Sequence, residues 1–239
     1  MRKQIEARKY SVHKIFGPTI QGEGGMTGVV SHFIRLSGCN MWDGRPETRA
    51  ESQCPFCDTD FLSHTMMTAE EILRSLEKMG TFDYIDPEDS RRSARWVTIS
   101  GGEPLLQVDA ELCKLLACDY YIAIETNGTV DIDPELRRWV DYVTMSPKVE
   151  RQDIALSKAD CVKLLWPPQN PEICPDAFYD FNARDFFLQP IDTGDTVQSQ
   201  MNVKLTVEEL YDLAQMTYSK GLEGRWRLSL QTHKILDVE

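Results

Sequence analysis

The chain has 239 residues, 41% of them hydrophobic and 27% charged, the make-up of an ordinary soluble globular protein with enough length for one large α/β domain. A formal charge of -12 argues against nucleic acid as a partner, because a phosphate backbone calls for a basic face. Neither the opening segment MRKQIEARKYSVHKIF nor any later stretch carries the apolar run of a signal peptide or a bilayer span, so the expected compartment is the cytoplasm, with no membrane partner.

In chain order, apolar runs rich in β-branched and aromatic residues predict strands at 29–36, 95–100, 120–125, 140–145, 160–166, 184–189 and 225–230. Helix-compatible stretches lie at 68–79, 107–117 and 206–219. Thr68 and Thr206, each three residues before a Glu, read as capping-box starts. The alternation predicts a parallel sheet with crossover helices in a single domain spanning 1–239. The charged stretch 83–95 reads as a solvated connection, and there is no internal repeat. Polar or unusual groups fall just after strand after strand: Gly38-Cys39, Gly101-Gly102-Glu103, Thr126-Asn127-Gly128, Ser146-Pro147-Lys148 and Gln189-Pro190-Ile191-Asp192. In parallel α/β folds the carboxyl ends of strands face one crevice or mouth, so these groups should meet.

Seven cysteines make an odd number, and in a reducing compartment the close pair Cys54 and Cys57 points to metal or redox use. Cys113, Cys118, Cys161 and Cys174 read as plain thiols in or near the core. Cys39 precedes the pair by an excursion, 40–53. Three thiols suit a four-iron, four-sulfur cluster with one open iron, whereas a structural zinc ion needs a fourth ligand, for which His32 and His64 are the candidates. Lengthening the first loop from three to 14 residues costs roughly 1.4 kcal/mol of closure entropy, little beside the roughly 10 kcal/mol of metal-ligand binding. The excursion is therefore tolerable as a surface feature. Gly101-Gly102-Glu103-Pro104 directly follows a predicted strand. Glycines there permit close approach of a ligand to the main chain, and the carbonyls can accept from an ammonium group. An ordinary turn is the other reading.

Cys39, Cys54 and Cys57 followed by GGEP resemble the radical S-adenosylmethionine (SAM) superfamily, although its usual CxxxCxxC spacing is widened here at the first gap. The resemblance implies a modified, incomplete (β/α) barrel of mostly parallel strands. It also implies that SAM binds the open iron through its amino and carboxylate groups and is cleaved to a 5'-deoxyadenosyl radical. The SAM-binding positions it implies are Phe56, Cys57, Asp58, Gly101, Gly102, Glu103, Thr126, Asn127, Ser146, Pro147, Lys148, Gln189, Pro190, Ile191 and Asp192. Phe56 reads equally as a core aromatic, and the groups at 146–148 and 189–192 as strand terminators.

Within that superfamily, FGPTIQGEG at 16–24, FIRLSGCN, CDT at 57–59, SGGEPLLQ at 100–107, ETNGT at 125–129, SPK at 146–148, LQPID at 188–192 and QTHK at 231–234 resemble the 7-carboxy-7-deazaguanine synthase family. The likeness runs from about 15 to 234, and a subset of that family shares the long first gap. It implies conversion of 6-carboxy-5,6,7,8-tetrahydropterin to 7-carboxy-7-deazaguanine with loss of ammonia, on a path to queuosine and other deazapurines. Ile20, Gln21, Gly22 and Glu23 would meet the pterin edge and Arg35 its carboxylate, Ser100 would take the place of a substrate-contacting Thr, and His233 would close the pocket. Glu23 and Arg35 can instead be read as a structural ion pair, and His233 as a surface histidine. Thr59 would ligate Mg²⁺, or else merely cap a loop. A homodimer and a flavodoxin-type electron donor are the implied partners. The competing functions are a glycyl-radical activase, which has no need of TIQGEG or QTHK, and a zinc-binding module.

Overall fold

The computed structural model describes residues 7–55, 57, 62–80, 95–220 and 225–238. Its elements in order are β1 (Lys9–Ile20), β2 (Val30–Leu36), β3 (Thr65–Thr68), α1 (Ala69–Glu77), β4 (Trp96–Gly101), α2 (Ala110–Leu116), β5 (Tyr121–Thr126), α3 (Pro134–Arg137), β6 (Tyr142–Met145), β7 (Cys161–Trp166), β8 (Asp185–Pro190), α4 (Thr196–Lys220), β9 (Trp226–Leu228) and α5 (Thr232–Ile235). The strands form one sheet in the order β3-β1-β2-β4-β5-β6-β7-β8-β9. From β2 to β9 every pairing is parallel, while β1 runs antiparallel to both β2 and β3. Among the described residues β3 and β9 are the edge strands of the sheet, which is an incomplete barrel with helices packed on it.

Each predicted strand is present, but β1 and β3 are additions. β1 is hard to read because Gly17-Pro18 interrupts its alternation, and the pairing with β2 shifts register between Phe16 and Thr19. Gly17 sits at φ +115, where an added Cβ would lie 2.9 Å from the His32 Cα, so the irregularity rests on that glycine.

Thr68 caps α1 as predicted: its side chain accepts from the Glu71 amide and the Glu71 carboxylate accepts from the Thr68 amide. Thr206 does not cap a helix. α4 begins ten residues earlier at Thr196, and the buried Thr206 hydroxyl donates to the Asn202 carbonyl 2.6 Å away. The Thr-x-x-Glu pattern there is an ordinary helical turn whose hydroxyl finds its acceptor four residues back. Most of the charged connection predicted at 83–95 lies outside the described residues. No helix among the described residues is long and apolar enough to cross a membrane.

Alternation along the parallel strands sorts side chains into two sets. Ile34, Leu36, Val97, Ile99, Ile122, Ile124, Val143, Val162, Leu164, Phe186 and Leu188 face outward into the main core under the helices. The opposite parity faces inward. Its lower layer is apolar, with Ala123, Tyr142, Cys161 and Phe187 packed around Met26 of the short 3-10 turn Gly24–Met26. Closer to the carboxyl ends, Ser100, Glu125, Lys163 and Gln189 occupy the same parity and are polar.

Candidate active site

The polar upper layer opens into a cavity of about 200 Å³ at the carboxyl ends of the parallel strands. Its lining includes Cys39, Cys54 and Cys57, the glycines Gly101 and Gly102, and the polar residues Glu23, Glu125, Lys163, Gln189 and Gln231. Thr126, Asn127, Ser146, Lys148, Pro190, Ile191 and Asp192 also contribute to the wall. The five polar groups predicted to meet do so.

The glycine pair is required by the neighbouring chain. Gly101 has φ +131, and a Cβ there would sit 2.0 Å from the Leu36 carbonyl oxygen; one on Gly102 would sit 2.0 Å from that of Gly38. The end of β4 is thereby pressed against the segment carrying Cys39. The amides of Gly102 and Glu103 donate to the carbonyls of Leu36 and Gly38 at 3.1 and 2.9 Å. Glu103 itself is fully buried and is absent from the cavity wall. Its carboxylate accepts from the Leu105 amide at 3.0 Å, the Thr126 hydroxyl at 2.8 Å and the Asn127 amide at 2.7 Å. Burial raises its pKa against these bonds. Glu103 thus ties the glycine turn to the loop after β5.

Gly22 and Glu23 are held by the C-terminal segment. The Thr232 amide donates to the Gly22 carbonyl at 3.0 Å, and the His233 ring packs so closely on Gly22 that a Cβ there would meet Nδ1 at 2.1 Å. Gln231, a residue not singled out from sequence, lines the cavity and donates to Glu23 at 2.8 Å. Glu23 pairs with the Lys163 ammonium, not with Arg35. The structural ion pair anticipated for Glu23 exists, but with a different cation. Arg35 shares the inward parity of Ser100, its register partner, and its guanidinium lies 5.4 Å from the Phe16 ring centre.

Lys163 and Glu125 are the principal site residues missed from sequence. Both are charges placed within apolar predicted strands, YYIAIE and DCVKLLW, and that contrast was the available signal. The Lys163 side chain is only 5% exposed. Burial opposes its charge, yet Glu23 and Glu125 together raise its pKa. Burial likewise opposes ionisation of Glu23, but the Lys163 ammonium and the Gln231 amide hold its carboxyl down at about 2. Glu125 lacks so direct a partner. It accepts from the Gln21 amide at 2.5 Å, and burial raises its pKa.

On the cysteine side, Lys148 donates to the hydroxyl and carbonyl of Ser146 at 2.6 and 3.0 Å, and burial lowers its pKa. Asp192 on the rim accepts from Lys234 and Ser199, both at 2.9 Å. Its carboxyl is held down at about 2 by the bond from Lys234, with further help from the Gly194 amide. Phe56, Asp58 and Thr59 lie outside the described residues, so the expectations for adenine and Mg²⁺ are not addressed by these contacts.

The zinc alternative loses the fourth ligands it relied on. His32 is 3% exposed near the start of β2, at the far end of the strand from Cys39, with its ring edge-on to Tyr120 at 5.9 Å. His64 is exposed, its Nδ1 3.3 Å from the Leu62 carbonyl. Neither lines the cavity. Among the described residues no three His, Cys, Asp or Glu side chains close on a single ion position. Three thiols around an open cavity match the donor set of a cluster with one unfilled coordination site. Burial raises the thiols of Cys39 and Cys54, the latter to about 11, as it also raises those of the plain buried cysteines Cys113 and Cys161. Of the remaining cysteines, Cys113 and Cys161 are buried, Cys174 is half-buried and Cys118 is exposed.

No protein-family model matches the chain. The crystal structure of QueE from Escherichia coli is similar in fold, with a TM-score of 0.58 at 23% sequence identity over 93% of each chain. Among curated proteins, the 7-carboxy-7-deazaguanine synthase of Nitratidesulfovibrio vulgaris is 36% identical over 239 aligned residues, covering 96% of this chain and 99% of that one. The synthase of Bacteroides thetaiotaomicron is 35% identical over 221, covering 92% and 94%. That of Caulobacter vibrioides is 37% identical over 236, covering 96% and 99%, and on this full-length identity the chain belongs to the 7-carboxy-7-deazaguanine synthase family.

Proposed function

We propose that this protein is a radical SAM enzyme that converts 6-carboxy-5,6,7,8-tetrahydropterin to 7-carboxy-7-deazaguanine with release of ammonia. The observation that carries this reading is that one cavity is lined both by the three thiols with the glycine pair and by the buried Glu23, Lys163 and Glu125. When bound at Cys39, Cys54 and Cys57, a four-iron, four-sulfur cluster with SAM supplies a carbon radical able to take a hydrogen atom from the pterin.

The chain's own groups bind and orient. Ser146, Lys148, Gln189 and Asp192 offer hydroxyl, ammonium, amide and carboxylate groups to SAM. Gln21, Glu23 and Gln231 brace one another through hydrogen bonds, with Ile20 and Gly22 in the same segment. Glu125 faces the cavity, where it accepts from the Gln21 amide and burial raises its pKa. Arg35 on the inward face supplies a cation for the substrate carboxylate. Ser100 and His233 complete the substrate residues, and Thr59 is the Mg²⁺ ligand. Electrons come from a flavodoxin-type donor. The position of β9 as an edge strand among the described residues supports a homodimer, and the odd count of seven cysteines supports a reducing cytoplasmic setting.

The test is an anaerobic assay of the iron-reconstituted, reduced protein with SAM, Mg²⁺ and 6-carboxytetrahydropterin, following product by mass spectrometry. Deazaguanine that disappears in Cys57→Ala is the expected result. Release of 5'-deoxyadenosine with no deazaguanine under any condition would falsify the substrate assignment while leaving the cluster reading in place.

A further inference from the structure

The excursion 40–53 folds back on the cysteines it separates. Trp42, 6% exposed, lies in the cavity wall, and its indole N–H donates to the Thr48 hydroxyl at 3.0 Å, which donates in turn to Asp43 at 2.5 Å. This braces the short 3-10 segment Pro46–Glu51 over the indole. From that segment the Arg49 guanidinium stacks 4.3 Å from the Trp42 ring centre. It also donates to the Cys57 carbonyl at 2.5 Å and reaches the Pro55 carbonyl at 3.5 Å. The Cys54–Cys57 turn is itself closed by the Cys57 amide donating to the Cys54 carbonyl at 3.0 Å, and the Cys54 amide donates to Ser52 at 3.2 Å. At the other end, the Met41 amide donates to the Cys39 sulfur at 3.4 Å, and Asn40 donates to Thr129 at 2.8 Å and accepts from Asn127 at 3.0 Å.

We propose that the excursion is a clamp that holds the second and third cluster cysteines in place before the cluster arrives, with Arg49 stacked on Trp42 as its positioning residue. The inference rests on the cluster reading above and adds to it. A short gap between the first two cysteines would confine the thiols through the chain itself. The long gap removes that restraint, and a planar cation held on an indole face, with donors aimed at the backbone of the Cys54–Cys57 turn, supplies another. Lysine is a poor replacement, because its ammonium can donate to the carbonyls but cannot stack as a plane on the indole.

The test compares wild type, Arg49→Lys and Arg49→Met after anaerobic reconstitution, measuring iron per chain and the rate of cluster bleaching by an iron chelator. Outer-shell partners of metal ligands typically cost 10- to 100-fold in metal affinity, so bleaching of Arg49→Met should accelerate by roughly tenfold or more. Arg49→Lys should fall nearer to Arg49→Met than to wild type, while the thermal unfolding of all three iron-free proteins coincides. Equal bleaching rates overturn the clamp. So does an iron-free Arg49→Met that unfolds well below wild type, since Arg49 would then be holding the fold instead of the cluster loop. A wild-type protein that takes up no iron sinks the cluster reading itself, a result separate from either.

Discussion

The upper and lower layers of the barrel interior come from the same strands and the same parity, yet their chemistry is opposite. Below, Ala123, Tyr142, Cys161 and Phe187 close around Met26 in an apolar plug. Above, two residues further along β5, β7 and β8, stand Glu125, Lys163 and Gln189. The apolar plug removes surface from water and stabilises the fold. In the polar layer, by contrast, charges are desolvated, which opposes folding unless each meets a partner. Lys163 is where the two requirements meet, because its stem rises from the apolar layer and its ammonium compensates Glu23.

Removing that ammonium should have the largest effect. Lys163→Met leaves Glu23 and Glu125 buried without their cation, and breaking one side of such a pair costs about 3–5 kcal/mol. Urea unfolding of the iron-free variant checks the stability, and turnover should be lost as well. An unchanged urea midpoint would mean that water, not Lys163, satisfies the carboxylates. Phe187→Ala sharpens the contrast from below. It should cost about 3 kcal/mol through the cavity it leaves, with KM for the pterin unchanged when assayed cold, where the variant remains folded. A raised KM would show that the layers are not separate.

The smallest effect belongs to the rim. The Asp192 carboxyl is held down at about 2, so its contribution is present above the ordinary aspartate value and is lost as pH falls toward 2. The pair with Lys234 is partly exposed, which limits it to under about 1 kcal/mol. Asp192→Asn should therefore be slightly less stable than wild type at neutral pH, and the difference should vanish by the acid end of the titration. A difference that persists at pH 2 would assign it to the neighbouring Ser199 and Gly194 bonds instead of the charge.

Sequence alone determined the parallel strands, the Thr68 cap and the convergence of Cys39 and the glycine pair with the other polar groups at the strand ends, because these follow from local alternation, capping chemistry and the direction of parallel strands. Thr206 misled because a Thr-x-x-Glu pattern is equally at home inside a helix, and only the upstream chain decides which. The partners of Glu23 and Arg49 were beyond reach for a different reason. Glu23 meets a cation 140 residues away in the chain, and Arg49 meets backbone carbonyls that leave no mark in a side-chain pattern. Tertiary structure decided both, since a buried charge takes whichever partner the packing of distant strands and loops brings to it.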